Sequence, residues 1–222
     1  RVPEGGIRLG ARVTSLARTD DGGYRLMLGD GTPIDASHVV LALPAYASAE
    51  LLRPHAPAVA EALDGIVYAS SAIVTLAYAR DQIRHRLDGF GFVVPAIEGR
   101  RIIAGSFTSV KYAGRAPAGK VLLRAFVGGA LAEGLAPLPD ADVVSLAEAE
   151  LGDLLGIRGA PSLVRVARHL RAMPQYHLGH LARVAEIEAA VEQLGGLALA
   201  GNAYRGVGVP DCIHGGEIAV DR

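Results

Sequence analysis

The residues most suggestive of chemistry cluster near the C-terminus, in the run Gly201-Asn202-Ala203-Tyr204-Arg205-Gly206-Val207-Gly208-Val209-Pro210-Asp211-Cys212. Gly206 and Gly208 carry no side chain, so a flat or anionic ligand can approach the main chain there. Pro210 suits the first turn of a helix, where its missing N–H would have no partner anyway. Asp211 beside it complements the positive end of the helix dipole. Just upstream, Leu197 to Ala200 is a short apolar run entered through Gly195-Gly196, which predicts a strand buried on both faces. A strand, a glycine loop and a helix N-terminus in that order make a seat for an electron-rich group. The same pattern also serves as a plain connector in many α/β proteins.

Other candidates are weaker by themselves. Lys111, Arg115 and Arg124 are cations that pair readily with carboxylates, although a solvated surface charge is the commoner role for any one of them. His177 and His180 stand three apart without a third Cys, His or acidic residue in a metal-binding motif, so loop tethering describes them better than zinc ligation. His38 at a strand start reads as structural. No nucleophile elbow, Cys with an arranged base or spaced carboxylate pair stands out among the 23 acidic residues.

The elements that would position these residues follow from pattern. Strands are expected at 12–16 and 24–28 around the Asp20-Asp21-Gly22-Gly23 turn, then a segment at 34–37 after Gly29-Asp30-Gly31, forming a small antiparallel meander. An apolar strand at 38–43 ends at Pro44. A helical stretch at 45–63 is broken near Pro54. Strand-rich runs at 70–79, 90–95, 101–107 and 120–127 predict a second sheet, followed by an amphipathic helix over 140–155 and a further strand at 162–171. A helix over 179–194 shows a stripe of Leu181, Val184, Ile187, Val191 and Leu194. The expected organisation is discontinuous: residues 1–46 and 195–222 form one domain, with residues 47–194 inserted as another. A cleft between domains is then the default place for a ligand.

Composition sets limits. The chain has 222 residues, half of them hydrophobic, with a net charge of −1; it is long enough for a substantial core and not disordered. No basic run offers an electrostatic footprint for nucleic acid, and no apolar stretch reaches the roughly 18 residues that span a bilayer. The lone Cys212 excludes an internal disulfide and fits a reducing compartment. The chain begins Arg1-Val2-Pro3-Glu4 without an initiating Met and reads as a piece of something longer.

The string from Ala200 to Ile213 resembles the C-terminal flavin-contact segment of the protoporphyrinogen and coproporphyrinogen oxidases, FAD enzymes of haem biosynthesis. The meander and the strand ending at Pro44 are similar to the middle FAD-domain segment of those oxidases and their amine-oxidase relatives. The resemblance implies an α/β fold of mixed α+β character: a partial, Rossmann-like FAD domain with an inserted substrate domain of mixed sheet and helix. It implies cofactor contacts at Val13, Pro44, Asn202, Gly208, Val209, Pro210 and Asp211, with Val13 against the adenine. Gly89 to Pro95 resembles the strand lining the family's porphyrinogen cavity, and Phe107 to Pro117 the next segment. Phe90, Gly91, Val93 and Phe107 would then contact the macrocycle, Gly91 because a side chain there would obstruct a large flat ring. Lys111, Arg115 and Arg124 are candidates for its propionates. Met173-Pro174-Gln175-Tyr176 is similar to the family's loop before its Gly-His helix start.

The implied reaction removes hydrogen from a meso carbon of a porphyrinogen to the flavin, repeats after tautomerisation, and uses oxygen to reoxidise the flavin with release of hydrogen peroxide. Strings at 111–112 and 122–129 look closest to the bacterial soluble branch, implying coproporphyrinogen III as substrate, protoporphyrinogen IX as the alternative, and a cytoplasmic location. Peripheral membrane contact and a homodimer are both compatible with that branch. The family's G-x-G-x-x-G fingerprint is absent from these residues, so the diphosphate cradle is expected to precede Arg1, and the 222-residue piece is expected to be inactive alone. Two rival readings are another flavin oxidase of the amine-oxidase or carotene-desaturase kind, and a non-catalytic nucleotide- or tetrapyrrole-binding module.

Overall fold

A computed structural model describes Pro3 and residues 5–221. The chain divides into two compact units, one reaching to Val67 and resuming at Tyr176, the other running from Tyr68 to Gln175. The breaks between these units, at 67/68 and 175/176, both lie nearer the middle of the chain than the domain boundaries expected at 46/47 and 194/195.

The outer unit opens with a three-stranded antiparallel sheet of β1 (Val13–Arg18), β2 (Tyr24–Leu28) and β3 (Pro33–Ala36). The fourth strand, β4 (Val39–Leu41), leaves this meander. It pairs in parallel with a strand from the far end of the chain, β10 (Leu197–Leu199). Between β4 and the second unit lie α1 (Ala45–Leu52) and α2 (Pro57–Asp64), the latter with Pro57 at its first turn as proline prefers. They pack on one another, and α2 packs on α5 (His180–Glu192), which in turn covers β10. These contacts place residues 47–67 and 176–194 with the outer unit.

The buried stripe of α5 is His180, Val184, Ile187 and Val191. Leu181, expected on that stripe, is exposed, because the spacing from 184, 187 and 191 continues back to position 180. The meander clasps the end of this helix. Tyr24, 3% exposed, donates its hydroxyl to the Gly195 carbonyl at 2.7 Å, and Arg18 Nη1 donates to the same carbonyl at 3.0 Å. The clasp satisfies acceptors that a helix terminus leaves open.

The inner unit is a five-stranded antiparallel sheet in the order β6-β7-β8-β5-β9. Its strands are β5 (Tyr68–Ala79), β6 (Gly91–Val93), β7 (Ile102–Phe107), β8 (Lys120–Gly128) and β9 (Leu163–Pro174). The strand expected at 162–171 thus joins the other four, and a bulge between its pairings to Ala69 and Ser71 lets it run on to Pro174. A one-turn helix, α3 (Thr108–Lys111), follows β7.

One sheet face is closed by α4 (Asp140–Leu155). Acidic residues in the first turn and left-handed Gly156 after the last bracket that helix as helix ends prefer. Val143, Leu146, Ala147, Leu151 and Leu155 lie on its buried face against Val74, Leu76, Leu123, Ala125 and Val127 of the sheet. Arg168 anchors the connector before α4, donating to Asp140 and to the carbonyls of Ala136 and Leu138. The last helix, α6 (Val209–Asp221), belongs to the outer unit.

Candidate functional site

Two regions, one in each unit, collect the residues singled out by sequence. In the outer unit, the parallel pairing of β4 with β10 brings their C-terminal ends side by side; the Ala200 N–H donates to the Leu41 carbonyl at 3.1 Å. The connections carrying Pro44 and Asn202 leave from that same end, which is where open α/β sheets receive ligands. β10 is less enclosed than expected: Leu197 is buried while Ala198 and Leu199 are half-buried. Likewise Val40 at the middle of β4 is exposed, since a two-stranded pair covers its strands less completely than a wide sheet does.

The loop from Gly201 to Gly208 is fixed by side chains from the segment before α5 and from the first residue of that helix. The Tyr176 hydroxyl donates to the Asn202 carbonyl at 2.7 Å and accepts from the Gly206 N–H at 3.0 Å, so one phenol bridges the two ends of the loop. His180 is buried and stacks flat on the Tyr176 ring, centroids 3.8 Å apart. Its Nε2 donates to the Tyr204 carbonyl at 2.8 Å. This is the tethering role its position suggested. Burial pushes the Tyr176 hydroxyl's pKa up, partly countered by the Gly206 N–H and reinforced by Cys212 and Asp211.

Asp211 turns back over the loop. Its Oδ2 accepts from the Gly208 N–H at 3.1 Å, the half of a capping box in which an acidic residue in the first turn satisfies the N-cap. A methyl group on Gly206 would lie 2.4 Å from the Asp211 Cβ. The bare backbone at Gly206 thus admits this carboxylate's own stem, a reason for glycine that the sequence did not suggest. At Gly201, with φ +118°, a Cβ would meet nothing within 4 Å. Val207, Val209 and Ile213 are exposed around the start of α6. That donor-bearing helix end, ringed by uncovered apolar side chains, fits the flat, partly apolar and electron-rich ring system of a flavin. Pro44, Asn202, Gly208, Val209, Pro210 and Asp211 all belong to the loops or helix start of this end; Val13, half-buried at the first position of β1, belongs to the meander.

In the inner unit, the pairing register decides which side chains share a face, since directly opposed residues do. Gly91 pairs with Ser106 and Val93 with Ala104, then Ser106 with Arg124 and Ala104 with Phe126. Thr75 lies between Arg124 and Arg165, and Ile73 between Phe126 and Ala167. These rows run across the sheet on the side away from α4. Phe107 pairs with Leu123 on the opposite side, 3% exposed in the core beside Phe92 and His85.

The four residues expected to contact a macrocycle are therefore divided. Gly91 and Val93 lie on the open face, Phe90 is exposed just ahead of β6, and Phe107 is a core residue. Gly91 also has a second reason to be glycine. At φ +147°, its Cβ would stand 2.2 Å from the Gly105 carbonyl oxygen and 2.9 Å from Ser106 Cα. Phe126, Ile73 and Leu122 share the open face and were not singled out from sequence; the signal was the alternation of Leu122, Arg124 and Phe126 along β8.

Residues 1–222 match the family described as flavin containing amine oxidoreductase. The chain belongs to that family. Coproporphyrinogen III oxidase of Bacillus subtilis (strain 168) is 35% identical over 95% of the chain and 44% of its own length. The enzyme of the same description from Propionibacterium freudenreichii is 38% identical over 87% of the chain and 36% of its own length. A crystal structure from Exiguobacterium sp. 255-15, described as a protoporphyrinogen oxidase, superposes with a TM-score of 0.82 at 29% identity, covering 97% of this chain and 48% of that one. This family member spans less than half the length of the curated relatives it matches. Among the described residues no helix is long and apolar enough to cross a membrane.

Proposed function

We propose that this chain is part of an FAD-dependent oxidase that converts a porphyrinogen, coproporphyrinogen III in the first instance, to the porphyrin in the cytoplasm, with oxygen as the electron acceptor. The observation that carries the proposal is the glycine loop at the start of α6, held by Tyr176 and His180, in a chain that aligns over 95% of its length with a bacterial coproporphyrinogen III oxidase. Bound FAD would supply two-electron acceptance from carbon and reoxidation by oxygen.

The chain's own residues do the positioning. Asn202, Gly208, Val209, Pro210 and Asp211 present the loop and the helix end to the cofactor, Pro44 lines the neighbouring strand end, and Val13 serves the adenine side. The outer unit is assigned to the cofactor and the inner unit to the substrate, which would lie on Gly91, Val93 and their neighbours, with Phe90 at the margin. Phe107 would act from below, by fixing β7 through its packing on Phe92 and Leu123.

The test is porphyrin fluorescence growing with time when the complete native protein, loaded with FAD, is given coproporphyrinogen III or protoporphyrinogen IX in air. Faster signal with coproporphyrinogen III supports the proposal, and faster signal with protoporphyrinogen IX keeps the chemistry and reverses the substrate. A flavin-loaded protein that produces neither porphyrin but oxidises amines would replace it with an amine oxidase.

A further inference from the structure

We infer that Arg124 is a carboxylate anchor of the substrate face, with Arg165 as a second cation beside it; this rests on the substrate assignment proposed above. Arg124 sits in the middle of β8, flanked on its face by the apolar Leu122 and Phe126. Its Nε is shielded from solvent and has no hydrogen-bond partner. A shielded donor of this kind is costly unless an acceptor meets it. Among the described residues no ion pair to Arg124 or Arg165 is formed.

The register supplies the second observation. Thr75 pairs with Arg124 on one side and Arg165 on the other, so the two cations stand two strands apart, about 10 Å, on one sheet face. The rows that flank them hold Val93, Ala104, Phe126 and Ile73 on one side and Leu122 and Ala77 on the other. No carboxylate side chain occurs at any of the paired positions on this face. An apolar floor interrupted by two cations without counter-ions complements a flat, apolar ligand whose rim carries carboxylates. Arginine suits the task because its planar fork binds a carboxylate with two donors.

The other cations considered for this role are differently placed. Lys111 and Arg115 lie 5.4 and 5.8 Å from the centre of the Tyr112 ring, beyond β7, Lys111 exposed at the end of α3 and Arg115 in the exposed segment after it. They have a partner of their own, and they are off the sheet face.

The experiment compares coproporphyrinogen III with its tetramethyl ester in the complete native protein, as wild type, Arg124→Leu and Arg124→Lys. In Arg124→Leu, KM for the free acid is expected to rise about tenfold to a hundredfold, as loss of a charge-assisted pair predicts. KM for the ester is expected to move by less than about twofold. Arg124→Lys, which keeps the charge and loses the fork, is expected to fall between. Equal shifts for acid and ester, or no shift with the acid, would overturn the inference and leave Arg124 a packing residue. Should the wild type oxidise neither compound, the proposed function fails, and binding of the products coproporphyrin III and its ester, followed by fluorescence, decides the anchor separately. Wild-type preference for the acid that Arg124→Leu abolishes supports it, and equal affinities refute it. A variant that does not fold leaves Arg124→Lys and Arg165→Gln to carry the same comparison.

Discussion

Replacing Gly91 by alanine separates the two reasons for glycine at that position. If Gly91 serves only to admit a flat substrate, Gly91→Ala raises KM and leaves the unliganded protein as stable as before. The structure places its added methyl 2.2 Å from the Gly105 carbonyl oxygen and 2.9 Å from Ser106 Cα, both main-chain atoms of β7 that cannot rotate aside. Overpacking of this kind costs about 1–3 kcal/mol, and an alanine held at φ +147° adds about 1–3 kcal/mol of backbone strain. A loss of at least about 2 kcal/mol is therefore expected, equivalent to a fall in Tm of about 4–8 °C for a chain of this size. The assay is thermal unfolding of the 222-residue chain followed by circular dichroism, with Phe90→Ala as the control, since exposed Phe90 should move Tm by less than about 2 °C. An unchanged Tm for Gly91→Ala would refute the strand-approach argument and return the position to the substrate alone.

Tyr176→Phe removes the phenol that joins the Asn202 carbonyl to the Gly206 N–H; FAD titration of the complete protein should show Kd raised about 5–30-fold, from roughly 1–2 kcal/mol of lost loop order, and an unchanged Kd would remove the loop from the cofactor site. Burial pushes the Tyr78 hydroxyl up to about 12. A raised pKa gives stability that is complete below the unfolded value near 10 and is lost as pH climbs through the folded one, so Tm should fall between pH 10 and 12, and by less in Tyr78→Phe. Equal alkaline curves for the two proteins would discount this tyrosine. Because the sequence contains no G-x-G-x-x-G fingerprint, the 222-residue chain by itself should lose FAD during gel filtration; co-elution of one FAD per chain would contradict that.

Locally determined features were legible in the sequence. The bounds of α4 match those expected, since Pro139, Asp140, Asp142 and Gly156 each mark a helix end by their own conformational preferences. What depends on a distant partner was not legible. Nothing in Val39–Leu41 says that its neighbour is Leu197–Leu199 rather than the preceding strand. Phe107 shows the same limit at the substrate face: an aromatic on a strand is easily recognised, but the face it occupies depends on a one-residue phase set by pairing with Leu123. His180 and Tyr176 were visible as a loop before a helix, while the carbonyls and N–H they hold lie some 24–30 residues further on.

The clasp by which Tyr24 and Arg18 hold the Gly195 carbonyl has a consequence for the order in which the chain becomes a protein. Its partners are 171 and 177 positions apart, and β4 likewise waits for β10. While the chain emerges from the ribosome, the meander is made well before its acceptors and the parallel partner strand of β4. The inner unit, with all five strands and α4 between residues 68 and 175, has its partners to hand well before that. Its sheet should therefore assemble first, and the outer unit should close only once residues 194–199 are available, through one long-range encounter whose slowness reflects the loop that must be brought together. Any truncation before Leu194 would leave an N-terminal meander with a ready hydroxyl and guanidinium and nothing to grip.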